Sequence, residues 1–119
     1  MKYMLLIYEN EAGFAGLPEA ERAAIYAEYR AFTEEIARSG NLIGGDELQP
    51  TATATVVRVE NGRTLVTDGP FAETREQLGG YYLVEAKDLD EAVALAARIP
   101  SARSGRVEVR PLMPSQAGP

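Results

Sequence analysis

The side chains best able to do chemistry concentrate in one stretch, Asp68-Gly69-Pro70-Phe71-Ala72-Glu73-Thr74-Arg75-Glu76-Gln77-Leu78-Gly79-Gly80-Tyr81-Tyr82. Asp68-Gly69-Pro70 forms a turn on local grounds. The Asp accepts nearby backbone hydrogen bonds, the Gly permits positive φ, and the Pro keeps Gly69 out of the helical region. The same carboxylate can act as a general base or ligand anchor where an apolar pocket raises its pKa. Arg75 offers a planar guanidinium which, set beside Asp68, would hold a carboxylate substrate. Phe71 is either a stacking platform or, more often for such a residue, a plug packed on a strand end. Tyr8, Tyr81 and Tyr82 read as core or interface aromatics. One of them turned into a cavity would donate a proton or stack on an aromatic ligand.

Two absences narrow that chemistry. The chain has no cysteine and no histidine, so thiolate nucleophiles and imidazole proton transfer are excluded. Acid/base work falls to Asp, Glu, Tyr, Lys and Arg. Asp46 and Glu47 add carboxylates after Gly44-Gly45, but the spacing of the acidic residues matches no metal loop, so neither a metal nor a cofactor is expected. Phosphate loops and nucleophile elbows are absent too. A net charge of −6 with no basic cluster argues against nucleic acid as a partner. The apolar start Met1 to Tyr8 is too short to span a membrane and lacks the features of a signal peptide, which points to a cytoplasmic protein.

The elements that must position these residues follow from hydrophobic period and turn chemistry. Lys2 to Tyr8 reads as a strand with Tyr3, Leu5 and Ile7 on one face and Met4, Leu6 and Tyr8 on the other; with both faces apolar it belongs at the centre of a sheet. A loop from Glu9 to Gly16 leads to a helix entered at Pro18. Ile25, Tyr29, Phe32 and Ile36 form its apolar stripe, and Ser39-Gly40-Asn41 stops it. Leu42 to Leu48 is a second strand, with a bulge or close backbone approach at Gly44-Gly45. Asn61-Gly62 turns a hairpin between Thr53–Glu60 and Arg63–Thr67. Tyr81 to Ala86 is the next strand, and Gly79-Gly80 before it marks a bulge. Asp88 and Glu91 make a capping box for a helix lined by Leu89, Val93 and Ala96 and ended by Pro100. Arg106 to Arg110 alternates as a last strand.

This order predicts one domain over residues 1–113 with a frayed tail over 114–119. Its class is α+β, a ferredoxin-like β-α-β-β-α-β arrangement with an inserted β-hairpin. Both main helices would cover one face of the sheet. The apolar second face then calls for the sheet of another copy, giving a homodimer of the dimeric α/β-barrel type.

The segment Asp68 to Glu76 resembles the signature of the DGPF group of the YCII-related family. Met1 to Ile7, Leu48 to Ala54, Gln77 to Tyr82 and Val107 to Pro111 resemble the same group, so the similarity spans the chain. It implies a stand-alone cytoplasmic domain with a dimeric ferredoxin-like barrel. Members are suspected enzymes because of a His–Asp pair, and some occur beside or fused to extracytoplasmic-function sigma factors. Asp68 matches the Asp of that pair; the His has no counterpart here, which removes a His-dependent mechanism. The expectation is a small organic ligand held near Asp68, with Arg75, Tyr8, Tyr81 and Phe71 around it. Any chemistry would be cofactor-free proton transfer of a lyase or isomerase kind, with Asp68 as base. A non-catalytic sensing module, or one contacting a sigma factor, is the competing class. A cofactor-independent oxygenase is a third, by fold analogy alone.

Overall fold

The computed structural model describes residues 1–114. Its elements run β1 (Lys2–Glu9), α1 (Glu11–Ala15), α2 (Glu19–Arg38), β2 (Leu42–Glu47), β3 (Thr55–Glu60), β4 (Arg63–Asp68), β5 (Gln77–Glu85), α3 (Leu89–Ala97) and β6 (Arg106–Pro111). β2, β5, β1 and β6 lie in that order in a four-stranded sheet, and each neighbouring pair is antiparallel. With helices inserted after β1 and β5, this is a ferredoxin-like α+β arrangement. β3 and β4 form a separate two-stranded sheet. The predicted tail falls on residues 115–119 for most of its length, outside the described residues.

The core lies between the sheet and α2 and α3. Tyr3, Leu5 and Ile7 of β1 and Tyr82 and Val84 of β5 meet Phe32 and Ile36 of α2, with Ala92, Leu95, Ala96 and Ile99 on the α3 side. Each fully buried Leu, Ile or Val here contributes about 1.5–3 kcal/mol of transfer free energy. Phe32 and Tyr82 meet edge-on with ring centroids 5.3 Å apart, and Tyr82 Oη hydrogen-bonds Thr33 Oγ1 at 2.7 Å.

Three expectations need correction. The segment after β1 is not all loop. Asn10 accepts a hydrogen bond from the Gly13 N–H at 3.0 Å and so caps the short helix α1, which Gly13 within it and Gly16 at its end obscure in the sequence. β5 begins at Gln77 rather than Tyr81, because its first residues pair with Glu9 and Tyr8 across the bulge opposite Ile7 and Tyr8. Finally, the buried stripe of α3 is Ala92, Leu95 and Ala96, whereas Leu89 and Val93 are exposed. The helix packs through Leu95 and two alanines, whose small size permits close approach, while Leu89 and Val93 turn outward. Its capping box is present: Glu91 N–H donates to Asp88 Oδ1 at 2.9 Å, and Glu91 Oε1 accepts from the Lys87 N–H at 3.0 Å.

In β2 the register shifts between Leu42 and Gly44, just ahead of the Gly44-Gly45 pair, and the close backbone approach is at Gly45, where a Cβ would stand 2.6 Å from the Tyr81 carbonyl oxygen. The hairpin turn is also as expected, with both Asn61 and Gly62 at positive φ (51° and 76°), the requirement of a two-residue loop that follows strand twist. The hairpin's main contacts are between its own two strands. It therefore projects, and the radius of gyration is 16.4 Å against about 13.5 Å for a compact domain of this length.

Candidate functional site

Strand pairing sorts the sheet residues onto two faces. Opposite the helices lie Met4, Leu6 and Tyr8 of β1, Leu78, Tyr81 and Leu83 of β5, Asp46 of β2, and Arg106, Glu108 and Arg110 of β6. The apolar members are half-buried and no element of the described chain is layered over them. At one end of this face, where β1 ends and β5 and β6 begin, a groove of about 490 Å³ opens between Tyr8, Thr74, Arg75, Glu76, Arg106, Val107 and Glu108.

The loops at that end are tied to one another. Glu11, at the start of α1, accepts hydrogen bonds from the Thr51 N–H and hydroxyl, both at 2.8 Å. Its own N–H donates to Gln77 Oε1 at 3.0 Å, and Gln77 Nε2 donates to the Thr74 carbonyl at 2.5 Å. α1, the segment before the hairpin and the segment carrying Arg75 are thereby held in register. Gly105 fixes the other wall: a Cβ there would stand 2.0 Å from the Tyr8 carbonyl oxygen, so only glycine lets β6 start against the end of β1.

Charges in the groove are mostly paired. Arg106 binds Glu76 Oε1 at 2.6 Å. Arg110 binds Glu108, which holds the guanidinium pKa above its ordinary value. Tyr8 Oη donates to Glu108 Oε1 across 3.5 Å. Arg75 makes no ion pair among the described residues. The lining carries two arginines, Arg75 and Arg106, against two glutamates, Glu76 and Glu108, so its formal charges balance, and Arg75 is the one left without an ion pair among the described residues, at a solvent-open position beside a tyrosine.

Of the residues singled out in the sequence, the structure brings Tyr8 and Arg75 together. Asp68 closes β4 opposite Thr55, is exposed, does not line the groove and has no side-chain hydrogen bond among the described residues. Gly69 takes φ +88° and its N–H donates to the Ala54 carbonyl at 2.9 Å, so the turn chemistry of Asp68-Gly69-Pro70 holds. Phe71 is no plug. It is 91% exposed, because the turn at Gly69 directs the chain off the hairpin root before it reaches the sheet. Tyr81 lies on the open face and donates to Asp46 Oδ2 at 3.1 Å, which raises its pKa. Tyr82 is core. Asp46 and Glu47 point to opposite faces, Glu47 accepting from Tyr26 Oη at 2.7 Å, and no acidic cluster suited to a metal ion occurs among the described residues. Sequence reasoning missed Arg106 and Glu108. The signal was their alternation in Arg106-Val107-Glu108-Val109-Arg110, which puts three charges on one face beside Tyr8. No described helix is long and apolar enough to cross a membrane.

Three likenesses bear on the family and the fold. Residues 1–116 match the model of the YCII-related domain. An uncharacterized protein of Rhizobium meliloti (strain 1021) is 37% identical over 114 residues, 94% of this chain and 92% of the relative. A solved structure of 5-chloro-2-hydroxyhydroquinone dehydrochlorinase (TftG) from Burkholderia phenoliruptrix AC1100, in complex with 2,5-dihydroxybenzoquinone, superposes over the full length of both chains with a TM-score of 0.58 and 12% identity. That structural likeness supports the fold. The family match and the relative, each spanning nearly the whole chain, establish that this protein belongs to the YCII-related family.

Proposed function

We propose that the protein works as a homodimer and holds a small, oxygen-rich organic anion in the groove beside Tyr8 and Arg75. The observation that carries this reading is the unpaired Arg75 guanidinium over a groove whose other charges are neutralised in pairs. A planar cation with several donors suits a carboxylate, phenolate or enolate oxygen. Tyr8 supplies an aromatic face and a hydroxyl on the adjoining wall. The structural likeness to TftG adds support, since the ligand named with that enzyme is a hydroxylated quinone, a small ring bearing oxygens. Stacking the open sheet face of a second copy over Met4, Leu6, Tyr81 and Leu83 would bury these side chains and turn the groove into a closed chamber.

The chemistry open to such a site is cofactor-free proton transfer of a lyase or isomerase kind. Tyr8 and Glu108 are the acid/base pair that already face each other in the groove. Asp68 serves as base only for a ligand that extends past Arg75 to the hairpin root. Titration calorimetry with 2,5-dihydroxybenzoquinone and a set of hydroxylated benzoates tests the reading. Binding of at least one compound, lost tenfold or more in Arg75→Ala, supports it. No binding across the set, or binding indifferent to Arg75→Ala, removes it.

A second reading, a module that contacts another protein such as a sigma factor, is favoured by one observation: the large aromatic Phe71 stands almost wholly in solvent. It predicts that Phe71→Ala abolishes association with that protein and leaves small-molecule binding unchanged.

A further inference from the structure

One face of the hairpin β3–β4 carries three valines that nothing in the described chain covers. Pairing places Thr55, Val57, Val59, Thr64, Val66 and Asp68 on one side, with Val56, Arg58, Glu60, Arg63, Leu65 and Thr67 on the other. Val57, Val59 and Val66 are 60%, 70% and 60% exposed. An isolated two-stranded hairpin is marginal in water unless an apolar face is packed, and a bare β-branched face on an edge is an association surface.

We infer that this hairpin is a clasp that grips a second copy of the same chain through Val57, Val59 and Val66. Area argues for a copy of this chain as the occupant. The chain exposes 8457 Å² at 12.9 kDa, whereas a compact monomer of that mass exposes about 6,300 Å². The excess is about 2,100 Å², of which residues 115–119 can supply at most about 640 Å² by their mass. What remains lies within the roughly 1,000–2,500 Å² per subunit that obligate homodimers bury. Two unpartnered apolar surfaces, a flat sheet face and a projecting arm, belong to one chain. A two-fold operation satisfies both at once and in both subunits. The clasp also bears on the groove. The segment that leaves its root at Asp68 runs to Arg75 and Glu76, so an arm seated on the partner fixes the wall that carries the free guanidinium.

This inference rests on the dimer proposed above, and the test separates the two. Sedimentation equilibrium is run over a wide concentration range on the wild-type protein and on V57T/V59T/V66T. Val→Thr keeps shape and β-propensity, so the fold is retained, and circular dichroism checks it. Leu6→Glu on the open sheet face serves as the comparison. A wild-type dimer whose dissociation constant rises at least tenfold in the threonine variant supports the clasp. An unchanged constant in that variant, with Leu6→Glu dissociating, overturns the clasp and leaves the sheet-face dimer standing. A wild-type chain that stays monomeric overturns both, including the case where the hairpin valines instead mediate binding to a different protein.

Discussion

At the scale of single residues, the site depends on two positions that do opposite jobs. Arg75 lines a groove whose other arginine, Arg106, is already spent on Glu76, while Glu108 is paired with Arg110 outside the lining. Removing it should weaken anion binding at least tenfold, and raising salt should mimic part of that loss, because an exposed cation is screened. Gly105 carries no chemistry, yet an alanine there would press on the Tyr8 carbonyl. Gly105→Ala should destabilise the fold by about 1–3 kcal/mol, as overpacking does, and weaken the ligand together with it, since Tyr8 and Arg106 flank the contact. Urea unfolding and calorimetry on the one variant read both effects; a variant as stable and as tight-binding as the wild type would contradict the packing role. The role of Gly105 was illegible in the sequence, because nothing local shows that the chain must pass too close for a Cβ beside a strand ninety-odd residues away. The place of Asp68 outside the groove lining was illegible for a related reason: turn chemistry is written in neighbouring residues, whereas line of sight to a groove is not.

At the scale of elements, local signals were reliable where they are strictly local. Asn61-Gly62, the Asp88–Glu91 capping box and the stop after Arg38 all appear where their residue types place them. Asp88→Ala should accordingly cost about 1 kcal/mol, the usual loss for an N-cap, visible as a lower urea midpoint. Periodicity misled on α3 because the packed face is set by how closely the helix approaches the sheet. Ala92, Leu95 and Ala96 hold that contact, and Leu89 and Val93 do not. The layer between α2 and the sheet also sets a pH limit. Burial raises the pKa of both Tyr29 and Tyr82 above the ordinary value near 10, although each hydroxyl has a hydrogen-bond partner that opposes the shift. The neutral phenols are favoured by folding, so their contribution is complete below about pH 10 and is lost as pH rises through the higher folded values. The urea midpoint should therefore fall between pH 9 and pH 11, and Tyr82→Phe should fall less over that interval than the wild type does.

At the scale of the whole molecule, what a single sequence conveys best is which surfaces need company. β1 announced two buried faces, and the folded chain covers one of them with α2 and α3 while Met4, Leu6 and Tyr8 stay half-buried on the other. The hairpin announced its turn but not its destination, because an arm that packs on nothing in its own chain has the same local pattern as one that completes a sheet. If the open face is where copies meet, its centre is the most sensitive point, since a charge there must be desolvated against apolar side chains with no partner. Leu6→Glu places a carboxylate between Met4 and Tyr8 on the central strand, flanked by Tyr81 of β5 and Glu108 of β6. In the monomer that side chain remains in contact with water, so the fold should survive with a near-wild-type circular dichroism spectrum. In the dimer the carboxylate is buried twice over by the two-fold, near a second copy of itself. Light scattering should then report a single chain mass for the variant where the wild type reports two. The wild type's melting temperature should also rise with protein concentration, and that dependence should vanish in Leu6→Glu, because only an associating native state is stabilised by mass action. A variant that keeps the doubled mass would move the interface off this face and leave the groove beside Tyr8 open to solvent in the working protein.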